Sequence, residues 1–511
     1  MRRLAAVALA TALLGAALTA APQIAGDRLL DHVKFLAADD LRGRGNGTPE
    51  LDRAADYVKE QFRAAGLQPG WMDEWTQPFQ LVAGLAIGTG NELRIDSAGT
   101  SLRLQLGASY YPLAATATES AATASASLDN VPLVFAGYGL SVPGQGGYDD
   151  YANIDVSGKA VLIFSHEPQE RDQGSRLNGA RPMPQTTLQA KAAAARNRGA
   201  RALLVVSDPS HRVDDADYRL FGLDPDAENV GLPVLRLRRD EMKPLMDGWG
   251  LEAVAREIDR DLVPRSRVLA GASVRYSEHL SINRRTVRNI VGVLRGSDPR
   301  RAGEAIVIGA HYDHVGIGGR HSAAPDRTGE IHNGADDNAS GTAAIIEIAR
   351  QAVLSRSRFP RTLVFVAFAG EENGLLGSDF YVHNAAFPIE NTVAMLNLDM
   401  VGRSRGAVDV SGLETAPSLE ADLRAAMQAA LPIDVKREGP GAGRSDDSSF
   451  ISRRVPAINF FTGFHADYHR PTDDWDKIDV DGTRRVATLA LEFAARIAAR
   501  ETRPEFVAPR N

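Results

Sequence analysis

The chain has 511 residues, 44% hydrophobic and 24% charged, a composition that excludes the disordered and collagen-like classes. A formal charge of -7 and a pI near 5.9 leave no basic surface for a phosphate backbone, so nucleic acid is not an expected partner. The chain has 0 cysteines, so disulfides, thiolate zinc and iron–sulfur clusters are excluded and any metal site must use His and carboxylates.

In chain order, Arg2 and Arg3 precede the Ala/Leu-rich run of MRRLAAVALATALLGAALTAAPQ, which closes on small residues around Ala20 and Ala21. This layout predicts a secretory signal peptide over 1–21 and export of the rest to the periplasm or the outside. An uncleaved anchor is the rival reading, weakened because alanine contributes little hydrophobicity. No membrane association is expected beyond that segment. Two helices follow; the second has Thr48 as N-cap, Pro49 in the first helical position, Val58 and Phe62 four residues apart, and Gly66 as its stop. With the mixed Thr/Ser/Ala-rich stretch that follows, they are assigned to the N-terminal part of the main domain, 22–125.

The runs PLVFAGYGL, KAVLIFS, RALLVVSDP and LPVLRLRR surround one helical stretch, KAAAARNRGA, and predict a separate β-rich module over 126–285. From 286 to 502 apolar strands alternate with helices: NIVGVL, EAIVIGA, TLVFVAFA, VAMLNLD and PAINFFT between GTAAIIEIARQAVL, GLLGSDFYVHNA, APSLEADLRAAMQAAL and TRRVATLALEFAARIAAR. The expected fold class is α/β, a mainly parallel mixed sheet with helices on both faces. In such sheets binding occurs at the carboxyl ends of the strands.

Those ends carry a pattern. EAIVIGA is followed by His311, Tyr312, Asp313 and His314; TLVFVAFAG by Glu371 and Glu372; VAMLNL by Asp399; PAINFFTG, after a short loop, by His465, Tyr468 and His469. The turn NGADDNASG, ahead of the helix 341–354, adds Asp336 and Asp337. Each alone has a structural reading, as a hydrogen-bonded rim histidine or an N-capping Asp. Five strand ends and turns supplying metal-type ligands at one sheet edge read jointly as a metal site. Charge supports a pair of ions: two zinc dications, three carboxylates, neutral imidazoles and one hydroxide sum to zero, which a partly buried site tolerates. One carboxylate is then left over. In FAGEENGLLGS one of Glu371 and Glu372 can ligate while the other takes the proton of the attacking water; side by side and alone they would repel. Asp313, two residues past His311, shares its face if the strand continues, and is placed to orient that imidazole.

HYDHVG, HNGADDNASG, AGEENGLLGS, NLDMVG and DYHRPTDDWDKID, in this order and spacing, resemble the M28 family of co-catalytic zinc metallopeptidases, which includes secreted aminopeptidases. The 126–285 module is similar to the protease-associated (PA) domain that many of these enzymes carry as an insertion. The resemblance implies two Zn2+ ions per chain, with Asp336 bridging them, His311 and Glu372 completing one site, and Asp399 and His469 the other. It implies Glu371 as general base, Tyr468 as a hydrogen-bond donor to the oxyanion, and a cis peptide between Asp336 and Asp337. His465 falls outside the ligand set, and His314, His321 and His332 read as loop residues or as supports behind the ligands. One stretch departs from the family: where relatives carry Ser-Asp-His and then Phe, this chain has Ser445, Asp446, Asp447 and Phe450, which leaves the charge of the substrate pocket open.

The expected function is a secreted aminopeptidase acting on peptides. A carboxypeptidase or dipeptidase is the alternative, with Arg403 or Arg444 holding a substrate carboxylate. An inactive ectodomain that binds a partner through the PA-like module is a remoter one. Oligomeric state and the preferred N-terminal residue are not legible in the sequence.

Overall fold

The structure is a computed structural model that describes residues 24–114, 123–142, 147–170, 172–177, 184–209, 231–318, 321–327, 329–437 and 443–509. The expected signal peptide lies outside the described residues, and among those residues no helix is long and apolar enough to cross a membrane. The chain divides into two compact units, one of Met1–Leu81 with Thr286–Asn511 and one of Val82–Arg285.

The first unit is built on five strands, β1 (Ala305–His311), β2 (Thr362–Phe368), β3 (Thr392–Leu398), β4 (Ala407–Ser411) and β5 (Ala457–Phe461). They lie in the order β4, β5, β3, β1, β2, and residues 290–294 then pair antiparallel with β2. β1 runs parallel to both β2 and β3, and β3 parallel to β5, while β4 is antiparallel to β5. Side-chain alternation covers both faces. Ile306, Ile308, Leu363, Phe365, Leu396 and Phe460 pack into one core, with residues from α1 (Gly26–Leu36), α2 (Pro49–Ala65), α3 (Gly341–Leu354) and, near the end of the chain, Val480–Ala499. Val307, Val364, Val366 and Met395 point the other way, onto Tyr381 and Val382 of α4 (Leu376–His383) and onto Phe450. Each fully buried Leu, Ile or Phe adds about 1.5–3 kcal/mol of transfer free energy, so the layering is set by this alternation.

α2 has the predicted ends: the Thr48 side chain accepts from Leu51 N at 3.3 Å, and Gly66 closes the helix at φ 94°. The parallel register brings His311 level with Phe368 and Leu398 level with Phe460, so β1, β2, β3 and β5 finish along one edge.

The second unit begins at Val82, not at 126. Glu92–Ser97 pairs with residues 273–277, a partner far away in sequence that no local pattern in the 75–125 stretch announces. Thr123–Phe135, Ala160–Phe164, Ala202–Val206 and Val234–Leu237 form successive parallel pairs. The unit also holds more helix than the single one expected, since Arg239–Gly248 and Leu251–Asp261 join Leu188–Arg196. Met242, Leu245, Val254 and Ile258 bury one face of those two helices against Leu162, Phe164 and Leu204.

Candidate metal centre and active site

Seven side chains converge where β1, β2, β3 and β5 end: His311, His314, Asp337, Glu371, Glu372, Asp399 and His469, each buried or nearly so. β1 delivers His311 as its last residue. Its Nδ1 donates to the Asp313 carbonyl at 3.2 Å, which turns Nε2 toward Asp337 Oδ1 and Asp399 Oδ1, both at 3.3 Å. His469 repeats the arrangement from the loop after β5. Its Nδ1 donates to the His321 carbonyl at 2.6 Å, and its Nε2 stands 3.1 Å from both Asp337 Oδ2 and Glu372 Oε2. A carbonyl behind the ring fixes which nitrogen faces the site. His469 holds φ 51°, a left-handed conformation uncommon for a non-glycine residue, and Ala323 N donates to its carbonyl.

The two oxygens of Asp337 therefore point to different histidines. This corrects two expectations. Asp336, expected to bridge, lies outside the cluster: Oδ1 accepts from Ser340 Oγ at 3.0 Å and from Gly402 N, and Oδ2 faces His465 Nε2 at 3.1 Å. Its carboxylate thus serves to hold the turn and the loop after β3. The expected pairing of residues also changes, because β1 lies beside β3 and so His311 meets Asp399, while His469 meets Glu372. The cis peptide is Asp337–Asn338 instead of Asp336–Asp337. Asn338 anchors that turn, accepting from Gly341 N and Met400 N and donating to the Leu398 carbonyl.

Asp313 holds the imidazole through its carbonyl, as above, and works on a second element through its side chain. Its carboxylate accepts from the backbone N of Glu371 and of Glu372, both at 3.3 Å, and from Asn46 Nδ2 at 2.6 Å. It thereby sets the tight turn that sends the two glutamates in different directions. Glu372 enters the His469 group, and Glu371 Oε2 sits 3.9 Å from His311 Nε2 at the open side. That side opens on a cleft whose wall includes Met400, Phe461, Phe464, Tyr468 and Arg444. Tyr468 stacks on His469 with ring centroids 3.9 Å apart. Asp447, in the stretch that departs from the family pattern, turns inward and accepts from Gly443 N and Ser445 N; burial pushes its carboxyl up to about 6. It folds its own loop. Besides Asp337, Glu371 and Asp399 of the cluster, the charged residues lining the cleft are Asp409 and Arg444.

Some contributors were not legible in the sequence. Arg44 is buried and gives its guanidinium to the carbonyls of Leu36, Tyr312, Asn333 and Gly334, tying an N-terminal segment to the two ligand-bearing loops. Asp473 accepts from the backbone N of Asp336 and Asp337 and from Arg403. Their signal lies in tertiary hydrogen bonds, and an Arg between glycines in RGRGNG carries no local pattern.

Four carboxylates and three imidazoles share this buried volume. Burial and Asp337 push the Glu372 carboxyl up, but hydrogen bonds from His314 and His469 outweigh them and hold it at about 2. Burial opposes charge on His469 as well, yet Asp337 and Glu372 raise it to about 11. Burial raises Glu371 well above the ordinary carboxylate range. The donor set is hard oxygen with imidazole nitrogen, the chemistry of a divalent-cation centre. Spacing agrees, since two ligand atoms on one tetrahedral ion lie about 3.3 Å apart for bonds of about 2.0–2.1 Å. The four contacts of His311 and His469 are at 3.1–3.3 Å.

Fold and site together define an α/β protein with two neighbouring groups of metal-type donors at the carboxyl edge of its sheet. Residues 289–494 match the model of peptidase family M28, and residues 130–245 match that of the PA domain. A probable zinc metalloprotease of Pyrenophora tritici-repentis (strain Pt-1C-BFP) is 41% identical over 120 residues, 23% of this chain and 25% of that protein. Leucine aminopeptidase 2 of Trichophyton rubrum is 28% identical over 254 residues, 43% of this chain and 48% of that protein. The chain thus spans about half or less of the curated relatives it matches. The fold is that of the aminopeptidase from Aneurinibacillus sp. strain AM-1 (TM-score 0.54, 21% identity, covering 96% of this chain and 97% of that one). It is likewise that of a zinc aminopeptidase from Bacillus subtilis (TM-score 0.51, 18% identity, 93% and 95%).

Proposed function

We propose that the protein is an exported aminopeptidase that holds two zinc ions and removes N-terminal residues from peptides. The observation that carries this reading is Asp337, whose two oxygens reach toward the separate histidines His311 and His469. His311 and Asp399 would hold one ion and Glu372 and His469 the other, with Asp337 shared. Bound zinc supplies Lewis acidity, polarising the scissile carbonyl and making water a nucleophile at neutral pH.

The remaining chemistry falls to the chain. Glu371, open to the cleft and free of the Glu372 group, takes the proton of the attacking water and passes it to the leaving amine. Tyr468, in the cleft wall, donates to the oxygen that becomes negative in the transition state. Asp313 keeps Glu371 and Glu372 in register through their backbone N–H groups. Met400, Phe461 and Phe464 offer an apolar wall to the N-terminal side chain.

The carboxypeptidase alternative needs a free arginine in the cleft. Arg403 is engaged by Asp473 at 2.8 Å and Asp467 at 3.4 Å, which leaves Arg444 as its candidate. The test compares an unblocked dipeptide, its N-acetyl form and its C-terminal amide, each with and without a chelator. The unblocked and amide forms should be cleaved, the N-acetyl form should not, and the chelator should abolish all cleavage. Cleavage of the N-acetyl form with sparing of the amide would sink the aminopeptidase reading.

A further inference from the structure

His314 lies within the cluster, yet its spacing differs from that of the other two histidines. Its Nδ1 is 2.7 Å from Glu372 Oε1, a hydrogen-bond distance, shorter than the separation of two ligands on one ion. The same nitrogen is 3.9 Å from Asp337 Oδ2, longer than that separation. It also meets the glutamate on the oxygen that His469 does not use, since His469 Nε2 stands at Oε2.

The ring is buried and held from several sides. Its backbone N donates to the carbonyl of Arg44 at 3.2 Å. It stands edge-on to His469, with ring centroids 5.4 Å apart. Gly334 makes room for it: a Cβ there would lie 2.4 Å from His314 Cδ2, and the residue sits at φ 55°. The far nitrogen, Nε2, is buried without a hydrogen-bond partner, so the one directed polar contact of the ring is to Glu372.

We infer that His314 is a positioning residue: it donates from Nδ1 to Glu372 Oε1 and so presents Oε2 alone to the cation shared with His469 and Asp337. This rests on the two-ion reading above. A free carboxylate swings between one-oxygen and two-oxygen attachment, and a buried donor on one oxygen removes that freedom. Hydrogen bonds of this kind behind a ligand are worth about 10–100-fold in metal affinity. The second ion thus depends on His314, and the ion at His311 and Asp399 does not.

The test titrates zinc into metal-stripped full-length protein against a competing chelator and resolves the two equivalents, for the parent chain and for His314→Ala, His314→Asn and His314→Gln. Asn reaches Nδ1 of the lost ring with its amide NH2, whereas Gln places its donor farther out. In the Ala and Gln variants one of the two equivalents should lose about 10–100-fold in affinity, with the other changed less than about threefold. Asn should restore most of the loss. Should the Ala variant fail to fold, the contrast between Asn and Gln decides alone. Unchanged affinity in all three, or equal loss for Asn and Gln, overturns the role of His314. A parent chain that takes up fewer than two ions overturns the two-ion reading as well.

Discussion

The buried acids of the two units meet different partners. In Val82–Arg285 the buried carboxylate of Asp150 accepts from Tyr138 N, Leu140 N and Tyr148 Oη. A buried cation accompanies it, Lys191, whose ammonium donates to the Phe164 carbonyl. Burial pushes Asp150 up to about 7 and Lys191 down to about 8, opposite shifts that the pair's mutual attraction limits. In the peptidase unit four carboxylates gather against three imidazoles, and buried Arg44 beside them spends its guanidinium on backbone carbonyls. A buried acid balanced by a nearby cation serves the fold, whereas several acids gathered with imidazoles at strand ends suit a ligand that brings positive charge.

The largest test of that contrast acts on the surplus. Glu371→Gln removes the group assigned to the proton and keeps its shape, so turnover should fall about 10²–10⁴-fold while metal content stays that of the parent. Turnover at the parent rate would return Glu371 to the structural side of the comparison.

Next comes the pair of adjacent aspartates. Asp337→Asn should cost most of the bound metal, read by elemental analysis after gel filtration. Asp336→Asn should keep the metal and lower unfolding stability by about 1–3 kcal/mol, the cost of disturbing a buried hydrogen-bonded group. The reverse result would restore Asp336 as the shared ligand.

In the Val82–Arg285 unit, Lys191→Met removes the ammonium that attracts Asp150 and should destabilise that unit by about 2–4 kcal/mol. Adding Asp150→Asn should recover part of the loss. Hydrogen exchange at Val161–Phe164 reads this unit directly, and exchange at Ile306–Ala310 should not follow it.

The smallest effect asks whether balance, and not membership of a unit, is what matters. Glu347 is a buried acid in the peptidase unit paired with Arg28 and Arg350, with His32 Nε2 at 3.5 Å. Burial raises its carboxyl, but nearby His32 and the hydrogen bonds from Arg350 and Arg28 win and hold it at about 2. A depressed carboxylate pKa contributes stability in full above the unfolded value of about 4.3 and loses it as pH falls through about 2. The parent chain should therefore lose stability over that window, and Glu347→Gln should be weaker at neutral pH and flatter across it, by roughly 1–2 kcal/mol. An identical acid profile in both would remove Glu347 from the balanced class.

What the sequence by itself determined is the run of strands and helices over 286–502 and the kinds of donor at the strand ends. Short continuous apolar runs such as TLVFVAFA and VAMLNL read as buried strands covered on both faces, and each is followed by Asp or Glu. That reading depends on periodicity and composition, which are local. The tertiary structure decided the rest. Asp336 and Asp337 are neighbours of the same type in one turn, and only the folded turn sends one to Gly402 and the other between His311 and His469. Strand order placed β3 beside β1 and so joined Asp399 to His311, a pairing that sequence spacing leaves open. The extra reach of the second unit back to Val82, the anchoring by Arg44 and the approach of His314 to Glu372 are likewise contacts between distant segments. The physical reason is one of range: side-chain chemistry and strand period are written residue by residue, while the direction a carboxylate faces is fixed by hydrogen-bond partners that only the closed chain brings within 3 Å or so.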